Sequence, residues 1–126
     1  MYKIIALIGE AGSGKDFLLR CARTKYPYYN EIVSCTTRPQ RMGEVEGINY
    51  YFLTNEQFAE RIARNQMLEW TEFNNWFYGT AIQSLDEDKI NIGVFNPGGI
   101  KNLLARNDVE VKVFYVRAPA KERLIR

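Results

Sequence analysis

The stretch Tyr2-Lys3-Ile4-Ile5-Ala6-Leu7-Ile8, running straight into Gly9-Glu10-Ala11-Gly12-Ser13-Gly14-Lys15-Asp16, decides the fold. Its first half is a nearly unbroken apolar run, the pattern of a strand buried on both faces in a parallel sheet. Its second half has the form GxxxxGK. Glycines let the backbone curl until several N–H groups point inward, and the helix that follows adds the partial positive charge of its N-terminus. That helix is predicted from Lys15 to about Tyr26, with Phe17, Leu18, Cys21 and Ala22 on one side and Pro27 closing it. A strand, a glycine-rich turn and a helix in this order form a cradle for phosphates, with Lys15 reaching the β- and γ-phosphates of a nucleoside triphosphate. By itself the loop specifies no more than that.

The residue after the lysine departs from the usual pattern. That position ordinarily supplies a Ser or Thr hydroxyl to Mg²⁺, and here it is Asp16. Two readings stand side by side. Asp16 is a carboxylate complementing the helix dipole, or it is a hard, charged ligand for Mg²⁺.

Beyond this unit the chain continues as a strand at Glu31 to Cys35, an exposed Arg-, Pro- and Gly-rich loop at Thr36 to Gly47, and a strand at Ile48 to Leu53. Thr54-Asn55-Glu56-Gln57 reads as a capping box opening a helix to about Asn65, with Phe58 and Ile62 on its apolar face. Met67 to Phe73 and Trp76 to Tyr78 are strands joined by a turn at Asn74 and Asn75. A short helix is expected at Ala81 to Glu87 and a buried strand at Ile90 to Phe95. A Pro-Gly-Gly turn at Pro97 to Gly99 leads to a helix at Ile100 to Arg106, then a strand at Val109 to Val116. Ala118-Pro119 opens a last helix. Alternation of this kind predicts an α/β fold with a parallel sheet and flanking helices, of the phosphate-binding-loop NTPase type. Residues 34–80 break the alternation and read as a strand-rich insert, with 1–33 and 81–126 forming the core of a single domain. Ligands of such sheets bind beyond the C-terminal ends of the strands.

Bulk properties narrow the chemistry. The 126 residues carry a net charge of +2, too little to argue for nucleic acid or membrane binding. With no histidine, His-based zinc sites and Ser-His-Asp catalysis are excluded. The two cysteines, Cys21 and Cys35, form no CxxC pair and read as reduced thiols of a cytoplasmic protein. The N-terminal apolar run is too short to span a membrane. Tyr26, Tyr28, Tyr29, Trp70 and Trp76 are read as packing residues.

A second motif adds specificity: Ser34-Cys35-Thr36-Thr37-Arg38-Pro39-Gln40-Arg41, then Gly43-Glu44 and Gly47-Ile48-Asn49-Tyr50-Tyr51-Phe52. Two arginines three apart in a Pro-containing loop can converge on one phosphate, whose oxygens suit guanidinium forks. This segment, with Leu68-Glu69-Trp70 and Tyr78-Gly79-Thr80 following in order, resembles the guanylate kinases, whose pattern is Ser-x-Thr-Thr-Arg-x-x-Arg-x-Gly-Glu, then Gly-x-x-Tyr-x-Phe, Leu-Glu-Trp and Tyr-Gly-Thr. The likeness runs along the whole chain. It implies an enzyme that moves the γ-phosphoryl group of ATP, with Mg²⁺, to GMP or dGMP. Gly9, Ala11, Gly12, Ser13, Gly14, Lys15 and Asp16 would hold the ATP phosphates, with Asp16 the candidate metal ligand. Arg38, Arg41, Tyr50 and Tyr78 would hold the GMP phosphate, Ser34 and Glu69 would read guanine, and Thr80 would lie nearby. Lys15, Arg38 and Arg41 would be catalytic. The chemistry of the base agrees: guanine offers N1–H and an N2 amine side by side to an ionised carboxylate, and adenine has no such pair.

Two departures accompany the resemblance. Where the family has an acid in an Ile-Asp-x-Gln-Gly stretch, this chain has Val94-Phe95-Asn96-Pro97-Gly98, with Phe95 at the acid's place. The chain also ends before the expected lid, whose arginines would meet the ATP phosphates; Arg123 and Arg126 do not match them. Without such partners turnover is expected to be poor, since an arginine on the transferred phosphoryl is worth about 10³–10⁵ in rate. The alternatives are a kinase for another deoxynucleoside monophosphate and a non-catalytic guanylate-kinase-like binding module.

The Asp16 alternatives separate by experiment. If Asp16 is a metal ligand, Asp16→Ala weakens Mg-ATP binding and leaves metal-free ATP binding unchanged or tighter, because the carboxylate otherwise repels the triphosphate. If it only complements its helix, stability falls by at most about 1 kcal/mol and both affinities stay or shift together. Titrations with Mg²⁺ and with a chelator distinguish the two.

Overall fold

The computed structural model describes residues 1–9 and 28–116. Of the loop Gly9 to Lys15 it therefore includes Gly9 alone. Ala11, Gly12, Ser13, Gly14, Lys15 and Asp16, the helix expected after them and the last helix at Ala118 lie outside the described residues.

Among the described residues there are two four-stranded sheets. The first is parallel, in the order β2-β7-β1-β8, built from β1 (Tyr2–Gly9), β2 (Tyr29–Glu31), β7 (Ile90–Val94) and β8 (Val109–Val116). The apolar N-terminal run is central, as its composition predicts, with Lys3–Leu7 against Ile90–Val94 and Tyr2–Gly9 against Val109–Val116. The second sheet runs β4-β3-β6-β5, from β3 (Cys35–Thr36), β4 (Tyr51–Phe52), β5 (Met67–Phe73) and β6 (Trp76–Ala81). The single strand expected at Glu31 to Cys35 is two strands in different sheets. The chain crosses from one sheet to the other at residues 32–34, which leaves Ser34 at the crossing. The strand expected at Ile48 to Leu53 shrinks to Tyr51–Phe52 plus a lone bridge between Glu46 and Tyr50, because the left-handed turn at Gly47 (φ 80°) precedes it.

Helix α1 (Asn55–Ala63) is capped as its sequence predicts. Thr54 Oγ1 accepts from the Gln57 N–H at 3.1 Å, and Gln57 Oε1 accepts from the Thr54 N–H at 2.9 Å. The helix seats Phe58, which is buried, against Cys35, Met67 and Ala81. Asn74 and Asn75 both have positive φ, 52° and 71°, and close the β5–β6 hairpin as a two-residue turn that follows the twist of the strands. The helix expected at Ala81 to Glu87 is a single 3₁₀ turn, Ile82–Ser84.

Helix α2 (Pro97–Leu104) begins three residues before the predicted start. Pro97, read as a turn, occupies the first helical position, where its fixed φ is favourable and its missing N–H is not needed. Asn96 is the cap: its Oδ1 accepts from the Gly99 N–H at 2.7 Å. The glycines serve close packing on β5. A Cβ at Gly98 would lie 3.1 Å from Thr71 Cγ2, and one at Gly99 would lie 3.0 Å from Glu69 Oε2. On its other side α2 meets β8, so one helix ties both sheets together, and the main core mixes Ile4, Ala6 and Val109 of the first sheet with Leu68 of the second and Ile100 and Leu103 of α2.

Buried Asn91 uses all four of its hydrogen-bonding sites. Its Nδ2 donates to the carbonyls of Lys3 (3.1 Å) and Asp86 (3.0 Å), and its Oδ1 accepts from the Asp86 N–H and from Asn30 Nδ2, both at 2.8 Å. It thereby joins β1, β2, β7 and the turn before β7. Asn91→Ala is expected to cost about 3 kcal/mol, since several buried groups lose partners together; urea unfolding measures it, and a loss below about 1 kcal/mol would show the network to be dispensable.

Candidate functional site

A cleft of about 390 Å³ opens where the C-terminal ends of β1 and β7 meet the first turn of α2 and the β5–β6 hairpin. Ile8, Val94 and Phe95 form its floor at the strand ends, and Asn96, Pro97 and Gly99 its helical side. The second sheet contributes Glu69, Thr71, Phe73, Tyr78 and Gly79, with Ser34 and Tyr50 completing the wall. Four residues selected from the sequence, Ser34, Tyr50, Glu69 and Tyr78, therefore line one cavity. A fifth, Thr80, stands behind it, fully buried.

Glu69 reaches the cleft through an irregularity in β5. Met67 pairs with Ala81, but Glu69 pairs with Thr80, so Leu68 is the extra residue of a bulge. A regular strand would set Glu69 opposite Gly79. The bulge sets it opposite Thr80, whose hydroxyl donates to Glu69 Oε1 at 2.9 Å. Gly79 leaves room for this: a Cβ there would lie 2.7 Å from the Glu69 carbonyl oxygen and 2.6 Å from Met67 Cε. Glu69 as a whole is only 7% exposed. Burial raises its pKa to about 7, against a smaller lowering by the Thr80 hydroxyl.

Tyr50 and Tyr78 meet edge to face, ring centres 6.1 Å apart. Burial, then the Tyr78 hydroxyl, raises the pKa of Tyr50. The guanidinium of Arg38 lies over the Tyr50 ring at 5.1 Å, and the residue is buried behind the cleft wall. Neither Arg38 nor Arg41 lines the cleft. The Arg38 fork is taken by Glu44, with Nη1 to Oε1 at 3.0 Å and Nη2 to Oε2 at 2.8 Å, and Glu44 Oε1 also accepts from the Arg41 N–H at 2.8 Å. Arg41 itself is exposed. Glu44 is thus the residue that closes the 38–44 loop. In the sequence Glu44 stands six residues after Arg38 and directly after Gly43, and this spacing is the signal for the pair; in the structure Gly43 is left-handed, at φ 88°.

Phe95, expected at the acid's place, and its neutral neighbour Asn96 follow the end of β7. Phe95 packs into the core with Ile4 and Leu103, and the polar side chain at the cleft is Asn96, which also donates from Nδ2 to Thr71 Oγ1 at 3.0 Å. Trp70 and Tyr28, read as packing, are 41% and 74% exposed. Cys35 is a free, buried thiol whose pKa burial raises. Among the described residues no helix is long and apolar enough to cross a membrane.

A parallel sheet whose central strand ends at the glycine of GxxxxGK, with a cleft at that sheet's C-terminal edge, is the frame of a phosphate-binding-loop nucleotide protein. The family model for guanylate kinase matches residues 1–126, and the chain belongs to the guanylate kinase family. It is 46% identical over 83 residues to a guanylate kinase of Thermosynechococcus vestitus, an overlap of 66% of this chain and 44% of that protein. Against a guanylate kinase of Symbiobacterium thermophilum it is 43% identical over 84 residues, 67% of this chain and 40% of that protein. The crystal structure of guanylate kinase from Anaplasma phagocytophilum matches with a TM-score of 0.76 and 25% identity, covering 98% of this chain and 64% of that one. The chain thus spans less than half the length of these two curated relatives.

The Glu44 latch carries a pH signature. The Arg38 fork, then the Arg41 N–H, lowers its carboxyl to about 2 from an ordinary 4.5. A lowered pKa contributes stability that is complete above 4.5 and is lost as pH falls towards 2. The melting-temperature gap between the wild type and Glu44→Gln is expected to be open at neutral pH and to close through this window. A gap undiminished at about pH 2.5 would rule out the ionic latch.

Proposed function

We propose that the cleft takes GMP or dGMP and that the whole protein transfers to it the γ-phosphoryl group of ATP, giving ADP and GDP or dGDP. The observation that carries this reading is the buried Glu69, facing a cleft of nucleotide size with Oε1 held by Thr80 and Oε2 turned towards α2. In this reading guanine presents N1–H and N2–H to the Glu69 carboxylate, Ser34 contacts the same base, and Thr80 fixes the carboxyl's orientation. Removing one member of such a buried set leaves the other unpaired, which is how a site rejects a base lacking the donors. The monophosphate end meets the Tyr50 and Tyr78 hydroxyls and the 38–44 loop. For Arg38 to receive it, the phosphate has to replace Glu44 at the fork or share the fork with it; Arg41, exposed, meets it from the loop's outer side. Catalysis is then largely positioning and charge neutralisation, with Arg38 and Arg41 on the acceptor and Lys15, with Gly9, Ala11, Gly12, Ser13, Gly14 and Asp16, on the donor.

Mg²⁺ would accompany ATP and neutralise its phosphates. The described residues do not fit a protein-held ion at the strand end. Phe95 is in the core and Asn96 Oδ1 is committed to the Gly99 N–H, so no step is assigned to the metal there and Asp16 remains its proposed ligand. The proposed setting is the cytoplasm, with nucleotides as the partners and neither nucleic acid nor membrane involved. The insert 34–80 is proposed to close over GMP and exclude water.

Calorimetric titration with GMP, AMP, CMP and UMP tests the acceptor. GMP is expected to bind at least about tenfold tighter than AMP, and Glu69→Gln is expected to reduce that preference more than it reduces phosphate binding. Equal affinity for AMP and GMP would refute the guanine assignment. A coupled ADP-release assay on this chain and on a longer form then separates binding from turnover.

A further inference from the structure

The protonation of Glu69 extends this reading and rests on it. Glu69 is buried on the wall of the cleft, and what surrounds it there is unusual for an anion. From β6 come the Thr80 hydroxyl at 2.9 Å and, along the same cleft, Tyr78; from the segment before β4 comes Tyr50. From α2 comes the uncharged first turn, where Gly99 approaches so closely that a Cβ would lie 3.0 Å from Oε2. From the end of β7 come Phe95 and Asn96, and from the crossing between the sheets Ser34. Among the described residues the other titratable groups lining the cleft are the two tyrosines, and no lysine or arginine lines it. Arg38, whose guanidinium lies over the Tyr50 ring, is engaged by Glu44.

A buried carboxyl in such a place is held by one hydroxyl and by no cation of the described wall. Its pKa of about 7 follows from burial. The guanine edge asks for the opposite state. Its two parallel N–H donors need two acceptor oxygens, and a protonated carboxyl sets a hydrogen against one of them. We propose that Glu69 is an acid in the empty cleft at weakly acidic pH and is deprotonated by the docking of the guanine edge, so that one proton passes to solvent for each base bound. The balance is simple: the carboxyl O–H bond breaks, the proton goes to water, and the carboxylate accepts N1–H and N2–H in its place. Selectivity for guanine is then linked to pH. A base with an acceptor and a donor on this edge suits the acid form better, so discrimination narrows as pH falls.

Proton uptake or release is read by titrating this chain with GMP in buffers of different ionisation enthalpy. The phosphate of GMP also titrates, near pH 6, so the same series on Glu69→Gln is subtracted. The wild type is expected to release close to one proton more than Glu69→Gln at about pH 6, with the difference fading above about pH 8. Over the same range the corrected GMP affinity of the wild type falls up to about tenfold for each unit below pH 7. Should Glu69→Gln fail to fold, the ¹³C shift of Glu69 Cδ in the wild type reports directly: titration is expected near neutrality in the free chain and at least about two units lower with GMP bound. Equal proton release by both chains, or a Glu69 Cδ that titrates alike with and without GMP, overturns the proposal while leaving the GMP reading standing. Failure of GMP to bind at any pH removes the acceptor reading itself, and the proposal with it.

Discussion

One extra residue in a strand, Leu68, sets the site. By bulging β5 it moves Glu69 from the position opposite Gly79 to the position opposite Thr80. The same bulge lets β5 serve two cores. Met67 joins Phe58 and Cys35 under the second sheet, and Leu68 joins Ile4, Phe95 and Leu103 under the first. A carboxyl can be buried at this junction because the surrounding packing excludes water and the Thr80 hydroxyl satisfies one of its oxygens. The remaining oxygen is turned towards the first turn of α2. The cleft that Glu69 lines lies at the end of a parallel sheet, the place where ligands of such sheets bind.

Helix α2 holds this arrangement from the other side. Its cap, Asn96, bonds both Gly99 and Thr71, so the first turn of the helix is tied to β5 next to Glu69. Side chains at positions 98 and 99 would push the helix away from the strand, which is why two consecutive glycines, costly in a helix interior, are tolerated at its start. The helix therefore fixes the distance between the sheets on which the shape of the cleft depends.

The basic loop is organised by a different force. Arg38 is buried, stacked on Tyr50 and Phe52, and satisfied by a bidentate carboxylate. A buried guanidinium without such a partner would be expensive, so Glu44 makes its burial possible. That pairing preorganises the loop and sets a competitor against any phosphate that approaches the fork. Family membership is plain from the full-length match, and the two arginines on which the resemblance rests, Arg38 and Arg41, are both present while neither lines the cleft.

Much was legible in the residues alone. The central strand, the Thr54 cap, the Asn74-Asn75 turn and the β8 boundaries follow from hydrophobic run length, capping chemistry and left-handed propensity, which are local properties. Ser34, Tyr50, Glu69 and Tyr78 were legible as a set because their spacing carries the family pattern, and the structure brings those four to one cavity. What the tertiary structure decided is orientation. A bulge depends on the pairing of two strands, so nothing near Leu68 announces it. Pro97-Gly98-Gly99, read as a turn, is the start of a helix, and its glycines lie against β5. Whether a carboxyl is an ordinary acid or one that titrates near neutrality is set by the water its neighbours exclude. For Glu69 those neighbours come from four separate stretches of chain, and only folding brings them together.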